Sequence, residues 1–338
     1  MILVDALYIN SGGGLAILNR LVDSLKVAKI DYILIRDSRC PVLTSEDSAR
    51  DVIVMNPSIR ERHLYYKRHR NDFHSILCFG NIPPTIKMQS RVHTYFHNLS
   101  VLKTPSTYSR KRKILFTLKR TLIRFLSRNT DTWIVQTTNT EKMVKQYIGS
   151  KKKPLYIYPI YNLPKFDINS MDNNRAQYLF VGDYTFSKGH DVLLTAWEKL
   201  HLMGKAPILN LTVNRRPATE SFCRKLDIAI SNGVPIKNHG VVPFDKVCEL
   251  YAMSKAVVYP SRLESLGLGI VEGISAGCDV ITSDLPFAHA ICKPSETFDP
   301  TEVDSIVDAV LRYEEGKSPK SSLTIHDCVN ELINLLKA

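Results

Sequence analysis

Residues 256–277 read AVVYPSRLESLGLGIVEGISAG. Ala256, Val257, Val258 and Tyr259 form a short apolar run of the kind that fills a buried parallel strand. Pro260 stops it, a loop carrying Gly267 and Gly269 follows, and from there apolar residues recur at helical spacing. Strand, glycine-bearing loop and helix in that order are one turn of a doubly wound sheet. In such sheets ligands bind beyond the carboxyl ends of the strands, where helix N-termini offer free N–H groups to phosphates. Gly267 and Gly269 let the backbone approach a ligand closely. Glu264 falls in the loop and Glu272 in the first helical turn. A carboxylate beside a phosphate would be repelled, so these two acids fit neutral diols, the hydroxyls of a sugar and of a ribose. The bland reading of the pair is a solvated loop acid and an acid favoured by the helix dipole.

The same alternation extends in both directions. Strands are expected at residues 2–7, 32–35, 52–55, 75–79, 92–96 and 132–135, with helices such as 15–28 and 140–148 between them. A second series runs through strands 178–181, 208–213, 234–238, 256–259 and 279–282, separated by helices 191–201, 219–231, 244–253 and 269–276. Residues 151–174 are rich in Lys, Pro, Asn and Asp, and Pro154, Pro159 and Pro164 resist both helix and central strand, which places a linker there. At 338 residues the chain exceeds what one core usually organises. The expectation is two doubly wound parallel-sheet domains, 1–160 and 161–323, facing a central cleft, with a final helical segment within 324–338 packing back on the first. No internal repeat interrupts this pattern.

At this point the sequence resembles a known family. Glu264, seven intervening residues and Glu272 look like the paired-Glu signature of glycosyltransferase family 4, and the likeness runs over most of residues 178–291. The resemblance implies the GT-B fold and a retaining, metal-independent transfer of a hexose-type sugar from a UDP- or GDP-activated donor to a saccharide acceptor. It assigns Glu264 to the donor sugar and Glu272 to the nucleotide ribose. Ser265, Leu266, Gly267, Leu268 and Gly269 would supply backbone contacts to the diphosphate and sugar. In YLFVGDYTFSKGHDVLL, residues 178–194, Gly182 ends a strand and Lys188 precedes a helix. An ammonium there can neutralise charge growing on a departing diphosphate. The family often has Arg directly after that glycine, whereas this chain has Asp183, so Arg215 or Arg216 is the substitute to look for. Val241, after His239 and Gly240, stands where the family's backbone meets the base, and the His239 side chain is read as structural.

In the first domain the resemblance is limited to Ser11, Gly12, Gly13 and Gly14, read as a loop after the first strand, and to a strand end. Gly13 and Gly14 would face the donor phosphate. His97, with Asn98 after it, closes the strand VHTYF, and in family members with a histidine there the ring reaches the reaction centre. A glycine run is also an ordinary turn, and a histidine at a strand end is often merely hydrogen-bonded.

Lys plus Arg exceeds Asp plus Glu, 45 against 33, so the surface attracts anions. The excess is local. No acid lies between Asp72 and Asp131, a stretch that holds Lys87, Arg91, Lys103, Arg110, Lys111, Arg112, Lys113, Lys119, Arg120, Arg124 and Arg128. Within 110–128, RKRKILFTLKRTLIRFLSR, Leu115, Leu118, Leu122, Phe125 and Leu126 share one helical face and most cations fall on the other. Such a helix can lie on an anionic membrane or pack its apolar face into its own domain, and the two are compatible. The first leads to a lipid-linked saccharide acceptor at the inner face of the cell membrane, as in surface polysaccharide (O-antigen or capsule) assembly.

No apolar run reaches the roughly 18 residues of a membrane span, and MILVDALYINSGGG lacks a basic n-region; both point to the cytoplasm, with peripheral membrane attachment left open. Seven scattered cysteines, none in a C-x-x-C pair, read as reduced thiols. There is no D-x-D pair or zinc-spaced His/Cys cluster, so no metal or other cofactor is expected. Signatures of NTPases, serine hydrolases and dehydrogenases are missing too. Aromatic stacking platforms for nucleic acid are not evident. The rivals that remain are a GT-B-shaped epimerase or phosphorylase, and a non-catalytic binder of membranes or polyanions.

Overall fold

The computed structural model describes residues 1–104, 108–149, 153–163, 175–216 and 218–338. The chain forms two compact units, one of Met1–Asn162 with His326–Ala338, the other of Leu163–Ile325. Most of the stretch read as a linker, residues 164–174 with 151 and 152, lies outside the described residues.

Unit 1 is built on strands β1 (Ile2–Ala6), β2 (Tyr32–Asp37), β3 (Asp51–Met55), β4 (Ser75–Cys78), β5 (Arg91–Phe96), β6 (Thr132–Val135) and β7 (Leu155–Ile157). They pair in parallel in the order β3-β2-β1-β4-β5-β6-β7. Helices α1 (Gly12–Val27), α2 (Ile59–Arg68), α3 (Leu99–Leu102), α4 (Arg110–Leu126) and α5 (Thr138–Ile148) connect them. β7 corrects the expectation of no strand in that proline-rich run. It takes the sheet edge between Pro154 and Pro159, where a residue that cannot donate to the ladder is tolerated.

β1, ILVDA, is buried along its whole length, as a central parallel strand must be. Ile2, Val4 and Ala6 pack with Leu18, Leu21 and Leu25 of α1 on one face, and Leu3 joins Ile76 and Tyr66 on the other. Asp5 interrupts the run. Its carboxylate meets Arg62 of α2 at 2.6 Å, with the two side chains 1% and 3% exposed. Arg62 spends its remaining donors on the carbonyls of Ile82 and Pro83 at 2.7 and 2.9 Å, so the buried pair ties β1, α2 and the loop after β4 together.

Unit 2 has strands β8 (Gln177–Phe180), β9 (Leu209–Leu211), β10 (Ile236–Asn238), β11 (Ser254–Tyr259) and β12 (Asp279–Ser283), then β13 (Cys292–Lys293), β14 (Glu296–Phe298) and β15 (Ser322–Leu323). Its parallel sheet runs β10-β9-β8-β11-β12-β14, while β13 and β15 form a small antiparallel pair. Its helices are α6 (His190–Leu202), α7 (Glu220–Ser231), α8 (Phe244–Met253), α9 (Leu268–Ser275), α10 (Pro286–His289) and α11 (Val303–Glu314). Numbered by their own sequence, the six strands follow the order 3-2-1-4-5-6, which reverses between β8 and β11. β9 and β10 are shorter than expected at the sequence level, three residues each.

The final helix, α12 (Val329–Lys337), begins later than the residue 324 read from the sequence. The Thr324 amide is instead committed to the Ile291 carbonyl of unit 2. Val329, Leu332, Ile333 and Leu336 lie in the core of unit 1 beside α1. All seven cysteines are free thiols, five of them buried. No helix among the described residues is long and apolar enough to cross a membrane.

Candidate functional site

In unit 2 the chain reverses its strand order between β8 and β11, and the loops leaving those two strands are stitched together. Gly189, at φ +73°, ends a 3-10 turn (Phe186–Lys188) and lies against the Pro260 carbonyl so tightly that a Cβ there would fall 2.3 Å from its oxygen. The Arg262 amide donates to the Ser187 carbonyl at 2.7 Å. Backbone packing thus fixes where Lys188 can point.

Lys188 Nζ sits 2.6 Å from Glu264 Oε1, the side chains being 24% and 13% exposed. The ammonium also donates to the Tyr259 hydroxyl at 3.1 Å, and that hydroxyl donates to Glu264 at 3.3 Å. Burial opposes the charged form of Lys188, but the Glu264 carboxylate and Tyr259 outweigh it and raise the ammonium pKa above its usual value. Residues 76 apart in sequence therefore form a half-buried, charge-assisted triad at the carboxyl end of the central strands.

α9 begins beside it. Gly267, its N-cap, takes φ +65°, and no side chain caps the helix entrance. Gly269 packs against the Tyr259 ring, 3.0 Å from where its Cβ would be, and Gly273 against Val257 of β11, where a Cβ would come within 2.5 Å. These absent side chains seat the helix on the strand, and its entrance is left without a side-chain cap, as at helix starts that bind phosphate. Leu266 itself is buried. Glu272 lies in the second turn rather than the first, because α9 starts at Leu268. Its carboxylate accepts from the Tyr251 hydroxyl at 2.8 Å, and burial raises its pKa to about 7 against that stabilising bond.

Gly182 donates its amide to Thr212 Oγ1 at 3.0 Å and faces the Lys188 side chain. Asp183 is exposed. Arg215 is held in a two-pronged ion pair with Asp227 of α7, at 2.5 and 3.0 Å, and Arg216 is exposed. Among the described residues no hydrogen bond or ion pair joins either arginine to Lys188 or Glu264. Val241 is 74% exposed just after the left-handed Gly240. His239 Nε2 bonds Asn210 Oδ1 at 2.8 Å, which anchors the ring.

In unit 1 the glycine run is helix, not loop. α1 starts at Gly12, placing Gly13 and Gly14 in its first turn behind Ser11, whose side chain makes no capping bond. Gly14 explains the correction: a Cβ there would stand 3.1 Å from His97 Cε1, so the missing side chain lets the helix entrance close on the histidine. His97 Nε2 lies 3.2 Å from the Phe79 carbonyl, which can only accept. It also lies 3.4 Å from Asn81 Nδ2, which can only donate, so its two neighbours favour opposite tautomers. Burial, partly opposed by the Phe79 carbonyl, lowers the ring pKa to about 4.

Sequence reading missed Asn81, Tyr259, Tyr251 and His190. Asn81, at φ +71°, accepts the amides of His97 and Asn98 at 2.7 and 3.0 Å and so sets the end of β5. His190 follows the Lys188 turn, stacks on Phe180 at 4.6 Å, and has its pKa lowered to about 3 by burial and then by Lys188, which keeps a neutral ring beside the ammonium. Among metal-ligating side chains of the described residues, His326, Cys328 and Glu331 bring ligand atoms within 4.8 Å, at the start of α12. None of these three belongs to either cluster above.

Residues 164–324, nearly all of unit 2, match the family model described as Glycosyl transferases group 1. The serotype-specific mannosyltransferase WbdA of Escherichia coli is 26% identical over 149 residues, 43% of this chain and 18% of that protein. The O-antigen chain mannosyltransferase B of Escherichia coli is 28% identical over 114 residues, 30% of each. The chain thus spans under a third of either relative. The Anabaena protein HepE, solved with UDP-glucose, superposes with a TM-score of 0.68 at 15% identity, covering 93% of this chain and 90% of that one. Together with the two parallel sheets, this likeness identifies the fold as GT-B, with two Rossmann-like units.

Proposed function

We propose that the chain is a retaining glycosyltransferase of family 4 that moves a hexose from a UDP- or GDP-sugar to a saccharide acceptor. Unit 2 takes the nucleotide sugar and unit 1 the acceptor side. The observation that carries this reading is the pair of Lys188 and Glu264, 2.6 Å apart beside the open entrance of α9. A diphosphate arriving there competes with Glu264 for the ammonium, and a sugar hydroxyl competes with Lys188 for the carboxylate. Both exchanges keep every charge partnered. As the bond from sugar to diphosphate lengthens, negative charge grows on the departing oxygen, and the ammonium and the first N–H groups of α9 are already aimed at it. Glu272 accepts from the ribose hydroxyls, held in place by Tyr251. Gly182 leaves room beside Lys188, and Val241 presents its backbone to the base. Gly13 and Gly14 at the start of α1 are assigned to donor binding by the family likeness alone. His97 hydrogen-bonds a sugar hydroxyl through its imidazole. Arg215 reaches the diphosphate only after exchanging Asp227 for it.

The names of the two relatives make mannose the first sugar to test, and O-antigen chain growth makes a lipid-linked saccharide the first acceptor. Retention and independence of metal are carried by the family likeness. The deciding experiment screens the purified chain for thermal stabilisation by GDP-mannose, UDP-glucose and related donors, since ligand bound to the native state raises apparent stability. The stabilising donor is then incubated with acceptor, and the new linkage is read by NMR. No stabilisation by any donor, or an inverted anomeric centre, overturns the proposal. A product formed without acceptor would favour an epimerase.

A further inference from the structure

α4 carries two apolar stripes, and the structure covers only one. Ile123 and Leu126 are buried and Phe116 half-buried, on the side that packs against α3 and α5. Ile114, Leu115, Leu118 and Phe125 are 61, 49, 63 and 57% exposed. At 100° per residue the open stripe is turned about 150° from the covered one. The sequence groups Leu115, Leu118, Leu122, Phe125 and Leu126 on one apolar face; of these Leu126 is buried, Leu122 half-buried and the other three exposed. Around the open stripe stand Lys111 at its N-terminal end, with Lys119 on one side and Arg128 on the other. Arg128 lies over the Phe125 ring at 3.9 Å. None of the eight cations from Arg110 to Arg128 forms an ion pair among the described residues.

We propose that α4 docks on an anionic lipid bilayer, lying in the interface with Ile114, Leu115, Leu118 and Phe125 among the acyl chains and its cations at the head groups. Four bulky apolar side chains held open in water are costly without an apolar partner, and the partner must be negative. The helix has 17 residues, about 25 Å, too short to span a bilayer and suited to lie along it. A second copy meeting this face about a twofold axis would set α4 against α4 and oppose like charges. A nucleic acid would use the cations but leave the aliphatic stripe in water.

The test uses the full chain without any nucleotide sugar, so its outcome is independent of the transfer reaction. Flotation with vesicles of phosphatidylcholine alone, and with phosphatidylglycerol added, should show partition to the anionic vesicles only, weakened by salt. Leu118→Ser with Phe125→Ser, both exposed positions, should abolish partition while circular dichroism and melting stay unchanged. Lys111→Ala with Lys119→Ala should weaken it about 30-fold, at roughly fivefold per cation near the surface. Equal partition to both vesicle types, or none, overturns the proposal. So does a concentration-dependent dimer lost in Leu118→Ser, or tighter binding to single-stranded DNA than to anionic vesicles.

Discussion

Gly14 and His97 meet so closely that a single methyl group on the glycine would stand 3.1 Å from the imidazole Cε1. The helix α1 and the end of β5 are therefore registered through a missing side chain. Gly14→Ala improves helix propensity by up to about 1 kcal/mol and moves the ring by a few tenths of an ångström. The expected outcome is an unchanged or slightly raised melting temperature with kcat lowered about tenfold. His97→Ala should lower kcat at least as far. If Gly14→Ala turns over normally, the ring's position does not matter to the reaction.

Lys188→Ala and Glu264→Ala should each cost on the order of 100-fold in kcat/KM, about 2.7 kcal/mol, as for loss of one preorganised electrostatic contact. Each also leaves its partner half-buried without its counter-charge, held by Tyr259 alone. The double variant Lys188→Met, Glu264→Gln should regain melting temperature over either single change while staying inactive. Comparing thermal melts with initial rates separates the structural role of the pair from the chemical one.

Glu272, with its pKa raised to about 7 by burial, makes stability and donor affinity depend on pH in opposite directions. Between about pH 4.5 and 7 the unfolded chain ionises this group before the folded one does, so the native state binds more protons. Stability then falls as pH rises through that window and levels off above it, by at most about 3 kcal/mol. Ribose hydroxyls are donors and favour the carboxylate, so nucleotide binding should tighten over the same window and release a proton below pH 7. Calorimetry in buffers of different ionisation enthalpy measures that proton. Glu272→Gln should remove both dependences.

Arg62→Ala leaves Asp5 buried at 1% exposure without its counter-charge, and should cost about 3–5 kcal/mol in urea unfolding. Replacing Asp5 and Arg62 together by apolar residues of similar volume should recover most of that. A loss below about 1 kcal/mol in the single variant would mean that water reaches Asp5.

If Lys188 and the α9 entrance carry the leaving-group charge, EDTA should leave the initial rate unchanged, and added magnesium or manganese should not raise it more than twofold. A rate abolished by EDTA and restored by a divalent ion would reassign that role to a metal.

The parallel strands and the turn at 256–277 were legible because a buried parallel strand needs an apolar run and a phosphate-sized helix entrance needs glycines, and both are local features. Glu264 and Lys188 could be picked out by type and position, but their direct pairing could not. What escaped was set across the sheet. Asn81 gains its task from amides 16 and 17 residues away, Tyr259 from a lysine 71 residues earlier, and Tyr251 from Glu272 on another helix. Which apolar side chains of α4 are covered was not legible, because they ring much of the helix and only the surfaces of α3 and α5 decide which are buried. Asp5 and Arg62 gave no signal, since each alone reads as a surface charge.

The seam between Gly189 and Pro260 has a consequence for altering this protein. No side chain fits at 189, so in a mutagenesis library that codon should return glycine almost alone. Exposed Asp183, Thr185 and Phe186, just upstream, carry no such restriction. Diversity aimed at changing what the loop recognises belongs in those positions, because the lysine stays anchored from behind whatever they become.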